Sequence, residues 1–219
     1  MLCALCACKE HEVRQIPVRD FFKTPDESVF RLSPDGQYIS YLKPYKGHQN
    51  LFIKSLADGK ERVATSFTDY PVREYSWTYH NRIVFVQDII ALDEFKMYAL
   101  DVPTMNTRNI LSIEKGRIRL LNNSTKEQPD VITISMNKRD PANFDIYRLN
   151  IKTGELKPYL VNPGNITQWY PDADGKIRLV KASDGVDETI LYRPNDNTPF
   201  KGIIANNFKT SVKPIAFTG

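Results

Sequence analysis

The chain has 219 residues, of which 41% are hydrophobic and 11% aromatic, with 30 Lys and Arg set against 26 Asp and Glu. That is enough apolar material for a buried core, and the small cationic excess is scattered singly rather than gathered into a phosphate-binding stripe, so nucleic acid is not expected as a partner. No apolar run reaches the ~18 to 20 residues that a spanning helix needs, so no membrane span is expected either.

All three cysteines fall in the opening MLCALCACKEH. The remainder is therefore expected to carry neither internal disulfides nor a cysteine metal site. Residues 1–15 read as a unit apart from the body, with three alternatives. Cys3, Cys6, Cys8 and His11 could ligate a metal. Leu5-Cys6-Ala7-Cys8 resembles a lipobox, which makes Cys8 the candidate lipidation site and the segment the remnant of a secretory or lipoprotein signal. A disordered tail is the third reading. The signal remnant is preferred; it implies a periplasmic or envelope-associated protein, and the other readings a cytoplasmic one.

The body, residues 16–219, opens with IPVRDFFKTPD (16–26), an aromatic lead-in expected to dock on the domain. Alternating runs follow at 29–33 and 38–42 around Pro34-Asp35-Gly36, a turn in which proline presets φ and glycine accepts a positive φ. A strand at 51–56 and the Asp58-Gly59 turn extend the hairpin to a four-stranded meander ending near Thr65. A second unit uses 73–78, 83–87, 95–102 and 108–112. The third begins near Arg117 and uses 131–136, 145–151 and 155–161. The fourth uses 166–170, 177–181, 189–193 and 203–206. Residues 212–217 have the alternation of the inner strand of a fifth unit. Helical periodicity is weak throughout.

Aligning Ile53, Met97, Ile146 and Leu191 gives a period of roughly 45 residues, the length of a four-stranded propeller blade. Radial repetition of short meanders leaves only short sheet edges exposed. A β-sandwich is the alternative all-β arrangement. The expected fold is all-β: an incomplete β-propeller of about four four-stranded blades plus the first strand of a fifth. Trp77, Trp169 and Tyr170 lie on its inner strands, where aromatic residues fill the core between blades.

The runs MNKRDPANFDIYRLNIKTGEL (136–156), VQDIIALDEFKMYALDV (86–102), NPGNITQW (162–169) and VKPIAFTG (212–219) resemble the N-terminal propeller of prolyl oligopeptidase-type serine peptidases, in the acylaminoacyl-peptidase and dipeptidyl-aminopeptidase branch. The resemblance extends over most of residues 16–219. It implies a propeller that screens peptide substrates by size for an α/β-hydrolase domain carrying a Ser, Asp, His triad. No serine in these 219 residues sits in the G-x-S-x-G elbow that exposes such a nucleophile, so the family's catalytic residues have no positions here, and the chain reads as a truncated, non-catalytic piece. His11, His48 and His80 lie in a tail or in turns without Ser and Asp partners in their sequence context. The rival reading is a TolB-like propeller that binds a protein or glycan.

Candidate substrate contacts are Asp88, Asp93 and Glu94, clustered on the connection between the second and third strands of the second unit, where they could meet a peptide amine. Arg139 and Asp140 in the third unit could contact substrate or form a blade-to-blade ion pair. Asp172, Asp174, Asp184, Asp187 and Glu188 lack the D-x-[DN]-x-[DN]-G spacing of a calcium loop. No cofactor is expected. An open arc of blades would expose the apolar faces of its terminal blades and favour self-association.

If residues 1–15 are a signal remnant, deleting them should leave the melting temperature almost unchanged. Stoichiometric zinc in the intact chain, or a large loss of melting temperature in the shortened one, would support the metal reading instead.

Overall fold

The computed structural model describes residues 15–23, 26–122 and 124–217. Among these residues sixteen strands form four sheets of four, each an antiparallel meander in chain order. The first holds β1 (Ser28–Leu32), β2 (Tyr38–Tyr45), β3 (His48–Ser55) and β4 (Glu61–Val63), and the second β5 (Val72–Thr78), β6 (Arg82–Ile89), β7 (Glu94–Asp101) and β8 (Asn106–Glu114). The third holds β9 (Ile118–Asn122), β10 (Val131–Asp140), β11 (Asn143–Asn150) and β12 (Leu156–Leu160). The fourth holds β13 (Ile166–Pro171), β14 (Ile177–Ser183), β15 (Glu188–Tyr192) and β16 (Lys201–Asn206). These are consecutive blades of a β-propeller.

Why the sheets stack is legible in β6. Its residues alternate between two apolar neighbours rather than between core and solvent, because successive side chains of a strand point to opposite faces. Ile83 and Phe85 join Tyr75, Trp77, Leu42, Leu51 and Ile53 in a core between blades 1 and 2. Val84 and Val86 turn the other way, toward Met97, Ile132, Ile134 and Met136, in a core between blades 2 and 3. A smaller core of Ile146, Trp169, Ile177 and Val180 joins blades 3 and 4. Each fully buried side chain of this size contributes roughly 1.5 to 3 kcal/mol. Most of the stability therefore lies between blades, not within them.

The two tryptophans fill these seams as expected. The Trp77 indole Nε1 donates to Ser40 Oγ of blade 1 at 2.8 Å, and Trp169 Nε1 donates to the Phe144 carbonyl of blade 3 at 3.0 Å. Each places its ring in a seam and spends its one polar hydrogen on the neighbouring blade.

Two expectations are corrected. The lead-in does not dock: α1 (Val18–Phe21) is a single turn with no buried residue, and Phe22 is 82% exposed. The helix is closed by its own backbone, Asp20 N donating to Pro17 O at 2.9 Å, and four residues are too few to make an apolar stripe that a sheet could cover. Residues 212–217 form no strand. An inner strand takes its ladder from the second strand of its own blade, and no such strand exists among the described residues. Instead Pro214 to Phe217 lie beside Leu121, Tyr170 and Leu179 along a shallow apolar cleft.

Met97 is fully buried in the seam between blades 2 and 3. Met97→Ala should destabilise the chain by about 2 to 5 kcal/mol, the range for emptying such a site. Urea unfolding reports it as a lower midpoint at unchanged slope.

Candidate functional site

In every blade the turn between the second and third strands and the connector to the next blade share one end of the meander. All five sequence candidates lie at this end. The connectors that cross there leave the ladder and carry backbone groups that the sheets cannot pair. Side chains from the blades pair them instead.

In blade 1 the buried Asn50, at the head of β3, accepts from Phe67 N at 2.8 Å and donates to Phe67 O at 3.0 Å. In blade 3 Asp145, at the head of β11, accepts from Asn162 N at 2.7 Å. Donor and acceptor are 17 residues apart in both cases. The turns that close the third strands also match, Gly59 N donating to Ser55 O and Gly154 N to Asn150 O, with both glycines at positive φ. This register aligns Asn50 with Asp145 and Leu51 with Ile146, so the sequence alignment of Ile53 with Ile146 is out of step by two residues. A shift of two preserves the alternation of faces, which is why periodicity could not detect it.

Asp145 is a charge with only 3% of its side chain exposed, and it is paired accordingly. Arg139 donates to it through Nε at 2.7 Å and Nη2 at 2.9 Å, and Nη2 also reaches Asn162 O at 3.2 Å. The Asn162 side chain then accepts from Gly164 N and Ile166 N and donates to Ile166 O, folding the connector into β13. The Arg139 hydrogen bonds hold the Asp145 carboxyl below its ordinary range, against the opposing effect of burial, with help from Asn162 N. Arg139 therefore pairs with Asp145 of its own blade and not with Asp140. Asp140 accepts from Ala142 N at 2.9 Å and Asn143 Nδ2 at 2.6 Å, which lower its pKa and close the β10–β11 hairpin.

The acidic cluster of blade 2 is drawn into the same work. Ile90 to Leu92 make a short 3-10 turn that Asp93 ends in the left-handed region, a conformation Asp tolerates better than most residues. Its side chain pairs with Arg117 at 2.8 Å and its carbonyl accepts from Lys115 N at 2.8 Å, tying down the connector from blade 2 to blade 3. Asp88 pairs with Arg73 at 3.3 Å, and Glu94 with Lys96 at 3.1 Å. Arg73 and Arg117 both lie over the ring of the buried Phe95, at 5.2 and 4.8 Å. Solvent reaches these pairs, so each is worth only ~0 to 1 kcal/mol. Asp88, Asp93 and Glu94 thus share one rim as expected, each beside a cation of its own chain.

Trp169 and Tyr170 of the seam between blades 3 and 4 stood out in the sequence, but Arg119 and its neighbours at the rim did not. There Arg119 of β9 lies 4.0 Å over the Phe144 ring, the shortest arginine-to-ring approach among the described residues. Arg119, Phe144 and Thr167 line both of two adjoining recesses, of about 180 and 730 Å³. The larger one continues past Asn165 to Asp184, whose carboxyl accepts from Asp187 N and Val186 N and is held below its ordinary range by them. A signal existed in the sequence: arginine alternating with Ile118 and Leu120 on an inner strand is unusual where apolar residues dominate.

Of the remaining acids, Asp172 pairs with Arg178 at 2.9 Å and Glu188 with Lys181 at 2.8 Å, at different parts of blade 4. Among the described residues no group of three or more His, Cys, Asp or Glu is placed to hold a metal ion. No helix among them is long and apolar enough to cross a membrane. Cys8 and His11 lie outside the described residues, while His48 opens β3 and His80 stands in the turn between β5 and β6, at opposite ends of their blades.

No family model matches the chain. Its sequence is 29% identical over 194 residues to dipeptidyl peptidase family member 6 of Caenorhabditis elegans, and 25% identical over 196 residues to dipeptidyl aminopeptidase BIII of Pseudoxanthomonas mexicana. Each match takes in 85% of this chain but only 26% and 28% of the relative, so the chain spans about a quarter of their length. Among solved structures, a prolyl endopeptidase superposes with a TM-score of 0.60 at 13% identity, covering 82% of this chain and 29% of that one. A putative TolB of Agrobacterium tumefaciens superposes with a TM-score of 0.57 at 12% identity, covering 83% and 68%. The resemblance to peptidase propellers is borne out by the sequence relatives, and the all-β propeller by the structures.

Asp145→Asn should cost about 1 to 2 kcal/mol, since the connector amide keeps an acceptor while the ion pair with the solvent-screened Arg139 is lost. Because the folded carboxyl lies below the unfolded value of about 4, its contribution is fully present above that pH and is lost as pH falls toward the folded value. The stability difference between the two proteins should therefore be flat above pH 5 and shrink below pH 4. A difference that grows on acidification would contradict the assignment.

Proposed function

We propose that residues 16–217 act as the propeller part of a prolyl oligopeptidase-type serine peptidase, scaffolding an α/β-hydrolase domain and gating the access of peptides to it. One observation carries this reading: two sequence relatives, one named a dipeptidyl peptidase and the other a dipeptidyl aminopeptidase, align with 85% of this chain and extend well beyond it. The rim at the connector end supports it. Several of its acids, bases and backbone groups are engaged with one another, as Asp145 is with Arg139 and Asn162 and Asp93 with Arg117, which favours a firm face suited to bearing a second domain. In this reading the chain supplies no nucleophile, and Asp88, Asp93, Glu94, Arg139 and Asp140 shape the rim rather than bind a substrate amine. The rival, a TolB-like module for a protein or glycan partner, shares the fold and has no relative by sequence to favour it.

Exposed apolar side chains of β1 and β16, among them Phe30, Leu32, Ile203 and Ile204, add the proposal that copies of the chain associate through their blade edges. Sedimentation velocity over a concentration series tests it.

The purified chain should hydrolyse neither dipeptidyl nor acylaminoacyl chromogenic substrates, for want of an activated nucleophile. Turnover abolished by a serine-directed fluorophosphonate would overturn the non-catalytic reading. Gating is tested by exchanging residues 16–217 for the matching blades of the Pseudoxanthomonas relative: the chimaera should cleave a dipeptidyl anilide and spare a folded protein that contains the same dipeptide. Cleavage of both at similar rates would sink the gating role.

A further inference from the structure

The seam between blades 3 and 4 holds a cation that the rest of the rim does not neutralise. Arg73, Arg117 and Arg139 each face a carboxylate. Arg119, exposed on the inner strand β9, has no carboxylate within ion-pair distance among the described residues, and its one recorded contact is the face of Phe144. A guanidinium stacked by its plane keeps the N–H groups of its edge free, in a fork that matches the two oxygens of a carboxylate.

Its support is hydrogen-bonded into the seam. The Phe144 carbonyl accepts from Trp169 Nε1 at 3.0 Å and from Asn162 Nδ2 at 3.4 Å, so the backbone that carries the ring beneath Arg119 is tied to β13 and to the connector that Asp145 anchors. The recess beside it is lined by polar and apolar groups alike, Asn143, Asn165, Thr167 and Ser183 beside Ala142 and Ile166. Asn165, on its wall, uses its backbone carbonyl to receive Ser183 N, and its side-chain amide is exposed and without a recorded partner. An amide in that place can pair with both N–H and C=O of an extended backbone. At the far end Asp184 adds a negative charge, which disfavours a ligand anionic along its whole length and sets a polarity along the recess.

We propose that this recess is a binding site for the carboxylate of a peptide, held by the edge of the Arg119 guanidinium with Asn165 on the adjoining backbone. The choice of a peptide as carrier rests on the peptidase reading above; the selectivity for carboxylate rests on Arg119 alone. Two sources of that group are possible, a free C-terminus and an acidic side chain.

The test uses the intact chain and three probes: acetyl-Ala-Ala-Ala with a free C-terminus, acetyl-Ala-Glu-Ala-amide, and the neutral acetyl-Ala-Gln-Ala-amide. Calorimetry should find at least one of the first two binding ten-fold or more tighter than the third, with the amide-proton NMR signals of Arg119 Nε and Asn165 Nδ2 shifting in proportion. Binding of the first alone assigns a C-terminus, and of the second alone an acidic side chain; both outcomes support the site. Arg119→Gln should abolish the preference over the neutral probe, and Arg119→Lys should keep part of it. Asn165→Asp, a change at an exposed position, should weaken all three probes through the lost backbone contact and the two carboxylate probes most, by charge repulsion, so that the preference narrows. Equal binding of all three probes, no binding at millimolar concentration, or an unaltered preference in both Arg119→Gln and Asn165→Asp would overturn the proposal. No turnover is measured, so this failure is distinct from failure of the hydrolysis and chimaera experiments.

Discussion

Passing the chain from one blade to the next without leaving buried backbone groups unpaired is the constraint on which the rest of this structure depends. A blade satisfies its own backbone through its ladder, but the connector to the next blade runs across the end of the sheet, where no ladder reaches. Asn50 and Asp145 answer it in the same way, with a side-chain oxygen at the head of the third strand accepting the connector N–H. The connector from blade 2 to blade 3 is held differently, by Asp93 and by Asn137, whose Oδ1 accepts from Arg117 N at 2.6 Å. Register between blades follows from these bonds, and only with that register do the apolar faces meet.

The same requirement explains the chemistry of the rim. Most charged residues at the connector end are committed to pairs that fix turns or connectors, as Arg139 is to Asp145 and Arg117 to Asp93. A carboxylate already fixed by a guanidinium and a backbone N–H is a poor recogniser of a peptide amine, because the new partner must displace the old one. Arg73, Arg117 and Arg139 are so committed, whereas Arg119 keeps its capacity for recognition. Its stacking on Phe144 stabilises the guanidinium by roughly 0.5 to 1 kcal/mol without consuming its hydrogen-bonding edge.

Blade 2 shows how the seams and the rim are coupled. Phe95 belongs to the core between blades 2 and 3, and Arg73 and Arg117 lie over its ring while pairing with Asp88 and Asp93. Loosening of that core would move both ion pairs, and with them the connector that starts blade 3. The rim is in this sense an extension of the cores rather than a separate polar layer.

The strands, their order in blades and their all-β class were legible in the sequence, because each rests on local information: period-two alternation, Asp-Gly and Thr-Gly turns, and a repeat of blade length. The candidate acids were found for the same reason, since their clustering at one turn is visible in one dimension. What they do was not. Asp145 shows no sign in the sequence that it will receive Asn162 N and Arg139, because those partners meet only when β10, β11 and the connector come together. The docking expected of Phe21 and Phe22 failed because apolar composition alone does not supply a surface to cover it. Arg119 sits among apolar residues of an inner strand, and only the packing of blade 3 against blade 4 decides that it faces a recess and stacks on Phe144. Alternation along a strand is a property of the chain, whereas the partner that each face meets is a property of how the blades pack.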